Sequence, residues 1–134
     1  MKLLNVLDWC FFLAHIGLIL FNLFGWIYPK MRQLHFIVVL TTLFFWVVAG
    51  FWKGFGYCPL TDWHWQVKNQ MGEQNLPSSF IKYLADNLFH INSNPEVIDI
   101  ITALCFIIVF IISVNLNLKS FGYNKKKWYN YFLV

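Results

Sequence analysis

Four histidines (His15, His35, His64 and His90) and three cysteines (Cys10, Cys58 and Cys105) are the side chains here that could bind a metal, move a proton or act as a nucleophile. No two of the cysteines form a C-x-x-C pair and none has zinc spacing, so they read as isolated thiols; Cys10 and Cys105 fall in apolar runs as small packing residues. The sequence has no Gly-rich phosphate loop, H-E-x-x-H helix, serine elbow or paired catalytic carboxylates. Asp8 and Asp99 are expected near the same surface, where a two-acid site would be unspecific. His64 and His90 share a loop, but two histidines alone are a weak metal signal. No catalytic residue and no metal site is expected on these grounds, which favours a chain that is not an enzyme.

The elements that must position these residues are set by a second property, the scarcity of charge. Of 134 residues, 59% are hydrophobic and 12% charged, against about a quarter charged in soluble domains. The net charge of +4 does not point to nucleic acid, because the Lys and Arg sit at segment ends, where they anchor in headgroups. Apolar runs over about residues 5–28, 34–55 and 97–118 each approach the roughly 20 residues that cross a bilayer. Pro29 ends the first, and the turn before the second is short enough to force an antiparallel hairpin. The first run exceeds a secretory h-region and lacks a small-x-small cleavage site, so it reads as a retained helix.

The expected fold is therefore an all-α membrane protein of one domain, residues 1–134. It has three transmembrane helices, an outer cap over 57–96 containing two short interfacial or extracytoplasmic helices, and a tail at 119–134. In the cap, Thr61 reads as the N-cap of a helix from Asp62 to Met71, with Gly72 closing it. Ser78 or Ser79 opens a second helix to about Ile91, with Phe80, Ile81, Leu84, Leu88 and Ile91 on one face and Lys82 and Asp86 elsewhere. Trp63 and Trp65 read as interfacial anchors. The excess of Lys and Arg at Lys30, Arg32, Lys119, Lys125, Lys126 and Lys127 puts the first turn and the tail in the cytoplasm and the N-terminus outside.

The informative pattern is the placement of polar residues inside the spans. Asn5, Asp8, Phe12, His15, Ile19, Asn22 and Trp26 recur at spacings of three and four and share one face of the first helix. His35, Thr42, Trp46 and Lys53 do so on the second, and Asp99, Thr102, Phe106 and Ser113 approximately on the third. Such groups are costly in lipid, so these faces should meet each other or a partner subunit. Helical rise puts His15 roughly 20 Å from the first turn. On matched depths, Asp8 is expected to pair with Lys53, Asn22 to hydrogen-bond Thr42, and His15 to stack near Trp46. The same rise separates His15 and His35 by roughly 18 Å in depth, too far to clamp one haem. His15 is then a neutral packing residue or, with Trp46, part of a haem b or quinone site. His35 and His64 read as structural, the latter as a surface or capping residue.

Cys58-Pro59-Leu60-Thr61 resembles the signature of a family of small bacterial membrane proteins classed as a domain of unknown function. His15, Arg32, His35, Trp46, Gly50, Gly72 and Phe80-Ile81 fit the same resemblance, which extends to about Ile91. The family carries Glu three residues after the Thr, completing a capping box; here that position is His64. The resemblance implies the fold and a place in the bacterial inner membrane, without an activity. The functional expectation is an accessory subunit of an inner-membrane complex or a homo-oligomer, contacting lipid and other membrane subunits and not nucleic acid. The alternatives are a haem b or quinone protein centred on His15, and a small carrier or lipid-handling protein with the cap over a pocket between helices.

Overall fold

The computed structural model describes residues 1–92 and 94–132, with side chains through Ser120. All elements among these residues are helical. α1 spans Lys2–Phe24, α2 Arg32–Phe44, α3 Gly50–Lys53, α4 Pro59–Gln70, α5 Phe80–Asn87 and α6 Pro95–Phe132. Three continuous segments, Lys2–Ile27, Pro29–Lys53 and Pro95–Ser120, are long and apolar enough to cross a membrane. α1 passes through a tight turn at Gly25–Ile27 and restarts at Pro29. Pro29 lacks an N–H but needs none at a first helical position. The three lysines at 125–127 that set the expected orientation lie beyond the described side chains.

Val39, Phe106 and Val109 form the buried centre of the bundle, flanked by Leu23, Trp26, Leu43, Trp46 and Phe110. Below this plug, towards the first turn, a polar layer locks the three spans together. His35 is fully buried, with Nε2 2.8 Å from the Asn22 carbonyl oxygen and Nδ1 3.0 Å from Ser113 Oγ. A carbonyl only accepts, so Nε2 carries the hydrogen and Nδ1 accepts from the Ser113 hydroxyl. Asn117 Nδ2 donates to the carbonyls of Ser113 (2.8 Å) and Arg32 (3.4 Å). The His35 ring comes this close because position 25 is glycine: a Cβ there would lie 2.8 Å from His35 Cδ2. In a setting without water, such side-chain to backbone bonds, rather than apolar burial, fix helix register.

The second span departs from the expected helix to Phe55. Residues Phe45–Ala49 form a wide π-type turn, and α3 stops at Lys53. Gly54 (φ +107°) and Gly56 (φ +85°) then reverse the chain in conformations that side chains with a Cβ rarely adopt. Gly56 N–H donates to the Trp46 carbonyl, three turns back into the span. Gly50 faces the returning strand, with Phe55 Cα only 3.2 Å from where a Cβ would stand.

α4 therefore begins inside the bundle. Its N-cap is Cys58, in an extended conformation, with Pro59 at the first helical position. The expected cap, Thr61, is instead within the first turn and buried. The other end closes as expected for a glycine after the helix: Gly72 (φ +91°) donates to Asn69 O and Glu73 N–H to Lys68 O. α5 is capped by Ser79, whose hydroxyl accepts from Lys82 N–H. It ends at Asn87 rather than Ile91, with His90 at φ +52°. Of the expected apolar stripe only Phe80 is buried, alongside Lys82 and Ala85; Ile81 and Leu84 are half-buried and Leu88 and Ile91 exposed. Lys82 can turn inward because its ammonium pairs with Asp86 one turn on.

Candidate functional site

The polar face of α1 towards its N-terminus is covered by the chain's own cap. α4 packs along α1, so that Thr61, His64 and Lys68, at spacings of three and four, line one edge facing it. His64 is fully buried, and its Nε2 lies 2.7 Å from Asp8 Oδ1. The carboxylate accepts, so Nε2 carries the hydrogen. Lys68, 3% exposed, places Nζ 3.1 Å from the same Asp8 oxygen, 2.9 Å from Glu73 Oε1 and 5.0 Å from the centre of the Tyr83 ring. Burial holds the His64 pKa below the ordinary histidine value, with the Asp8 hydrogen bond opposing. For Lys68, burial disfavours the charge, but Glu73, Tyr83 and Asp8 outweigh it and push its pKa above the ordinary lysine value.

This geometry corrects the depth arithmetic. Asp8 takes His64 and Lys68, while Lys53 is exposed at the end of α3. His64 is at the centre of the cap rather than on its surface. Trp65 is also held inside, its Nε1–H donating to Pro77 O at 2.7 Å, whereas Trp63 is exposed. Asp99 and His90 are exposed and join neither group. Asn22 Nδ2 donates to Thr42 Oγ1 at 3.4 Å and to Leu18 O at 3.1 Å.

His15 is the second buried centre, 3% exposed. It does not stack on Trp46, which packs against Phe106 with ring centres 4.9 Å apart. Phe80 of α5 lies flat on the His15 ring, at 4.0 Å and 11°. Nε2 of His15 faces the start of α4: Thr61 Oγ1 is 3.1 Å away and Cys58 Sγ 3.7 Å. The Nδ1 atoms of His15 and His64, whose rings are 6.3 Å apart, are both buried with no hydrogen-bond partner among the described residues. No group of three or more His, Cys, Asp or Glu with metal-binding geometry occurs among the described residues. Both nitrogens of His35 are committed within the bundle.

Cys58 has a second neighbourhood. It is half-buried and is among the residues lining a half-open groove of about 250 Å³. Leu18 of α1, Val38 and Thr42 of α2, and Trp46 line it together with Tyr57 and Pro59, the sequence neighbours of Cys58. Leu18, Val38, Thr42 and Trp46 belong to two segments long and apolar enough to cross a membrane. The hydroxyl of Thr42 donates to Val38 O and that of Tyr57 to Asp62 Oδ2 at 3.0 Å, which leaves the walls chiefly apolar. The sequence reading allowed a pocket between the helices but could not name its lining, because Tyr57, Cys58 and Pro59 join it only where the reversed chain meets the two spans.

The family described as Protein of Unknown function (DUF2784) matches residues 5–118. No curated protein and no solved structure matches the chain.

Proposed function

The chain belongs to the family Protein of Unknown function (DUF2784), and on that premise we propose that it is a small membrane protein that holds a single-chain lipid or lipid-like amphiphile between its first two spans. The observation carrying this reading is the apolar groove of about 250 Å³ that Cys58 helps to line. Clefts that enclose whole drug-sized ligands run to roughly 300–1,000 Å³, so this one suits one alkyl segment, with the remainder of the ligand in the bilayer. The same reading places the protein in a bacterial inner membrane, with the N-terminus and cap outside and the tail in the cytoplasm.

Lipid extraction and mass spectrometry of the protein purified in mild detergent tests the proposal. A bound amphiphile at near-unit stoichiometry, displaced by Leu18→Trp, is the expected result. Retention that is unchanged by filling the groove, or no bound lipid at all, overturns it. A second reading, an accessory subunit of a membrane complex, draws on the exposed aromatics Phe51 (78%), Trp52 (76%) and Phe55 (82%) at the reversal. The polar face of α1 no longer argues for a partner, since α4 covers it. Co-purification of another membrane subunit, lost in Trp52→Ala, would favour this second reading. An absorption spectrum without a Soret band would count against haem b at His15.

A further inference from the structure

We propose that Cys58 is an acyl acceptor, forming a thioester with a fatty acyl chain lodged in the groove, and that His15 is the base that activates it. This deepens the lipid-binding reading and rests on it. Three observations converge on one sulfur. Cys58 Sγ is 3.7 Å from His15 Nε2, within reach of an S–H···N hydrogen bond. His15 is 97% buried by virtue of its 3% exposure, and the Phe80 ring stacked at 4.0 Å fixes its plane. Cys58 itself is only half-buried and lines an apolar groove with room for an alkyl segment. Cys10 and Cys105 have no such company; both are exposed on the lipid-facing sides of α1 and α6.

The chemistry is thioester exchange with an acyl thioester as donor. His15 Nε2 takes the proton of the Cys58 thiol, and the sulfur attacks the acyl carbonyl. A new C–S bond forms to Cys58, the C–S bond to the donor thiol breaks, and the proton on His15 passes to the departing thiolate. No oxidant or reductant is needed, and one thioester replaces another. Thr61 Oγ1, 3.1 Å from the same nitrogen, competes for its single lone pair, so its hydroxyl must turn away before the thiol can donate.

The test uses the full chain in detergent or proteoliposomes, on a Cys10→Ala/Cys105→Ala background, with the palmitoyl thioester of N-acetylcysteamine as probe. Intact-mass spectrometry should show one added acyl group, removed by hydroxylamine and absent in Cys58→Ser. His15→Gln should slow its formation at least tenfold while the unfolding midpoint stays close to that of the parent. Leu18→Trp, which leaves Cys58 and His15 in place, should also block it. No hydroxylamine-labile adduct, or an adduct formed equally fast in His15→Gln, overturns the proposal. Retained lipid without acylation sinks the acceptor role and spares the groove; acylation that ignores Leu18→Trp sinks the groove and spares Cys58.

Discussion

Asp8→Asn separates the structure's pairing from the one that matched depths suggested. An asparagine keeps an acceptor oxygen for His64 Nε2–H, so the substitution removes charge and little else. Stripping a sole partner from a buried ion costs about 3–5 kcal/mol. Lys68 keeps Glu73 at 2.9 Å and the Tyr83 ring at 5.0 Å, and the Asp8 side chain retains 20% exposure. About half of that range, roughly 2 kcal/mol, is the expected loss. Lys68→Met should cost less, about 1 kcal/mol, because the two carboxylates it leaves can both reach solvent. Asp8 and Lys68 should therefore couple by about 1 kcal/mol in a double-mutant cycle. Lys53→Ala should fall within about 0.5 kcal/mol of the parent, as surface substitutions do. Reversible unfolding in mixed micelles, followed by tryptophan fluorescence, measures all of these. A cycle in which Asp8 couples to Lys53 and not to Lys68 would refute the placement of α4 against α1.

Three further outcomes follow from the same contacts. His64 has a folded-state pKa below the ordinary 6.5, so the unfolded chain takes up its proton first as pH falls. Stability should then decline below about pH 6.5, and His64→Gln should reduce that slope in unfolding measured across the range. Gly25→Ala would set a methyl 2.8 Å from His35 Cδ2 and 3.1 Å from Phe21 Cε2; His35 is pinned by two hydrogen bonds, so a loss of about 1–3 kcal/mol is expected. Gly17→Ala, with nothing within 4 Å, is the control and should not destabilise. Ser113→Ala leaves His35 Nδ1 without its donor in a fully buried site and should cost about 1–3 kcal/mol in the same unfolding assay.

What the sequence disclosed and what it hid divide along a physical line. Helical periodicity and the cost of polar groups in lipid are local, and they marked the polar face of α1, with Asp8, His15 and Asn22 on it. The partners of that face are not local. Asn22 lies opposite Thr42 because a tight turn joins α1 and α2, and rise per residue then sets the register. Asp8 and His15 find theirs on α4, whose position depends on where the chain goes after Lys53. The contacts of His64 show the same limit. Three residues after Thr61 is a capping position only if Thr61 is the cap; with Cys58 as cap and Pro59 first, that position turns inward towards Asp8. Gly25 escaped notice because its contact, the His35 ring, comes from the next helix.

The reversal after α3 is the step on which the rest depends. Depth matching assumes that a chain leaving a span keeps going, which would carry Cys58 away from the bundle. Instead, Gly54 and Gly56 take up left-handed conformations, Gly56 N–H bonds to the Trp46 carbonyl, and the backbone at Phe55 closes on the bare face of Gly50. Three glycines in seven residues (50, 54 and 56) are costly in a helix but each is used here. Residues 51–56 of the reversal are exposed, and the chain gains cover only as it reaches Tyr57, Cys58 and Pro59, which line the groove. Cys58 reaches His15 with its sulfur and also lines the groove. The three- and four-residue steps of α4 then deliver Thr61, His64 and Lys68 to the polar face of α1. A histidine near mid-span thus acquires a thiol and a hydroxyl as neighbours through a turn roughly forty residues further along the chain, and the cap that shields it is the same element that satisfies Asp8.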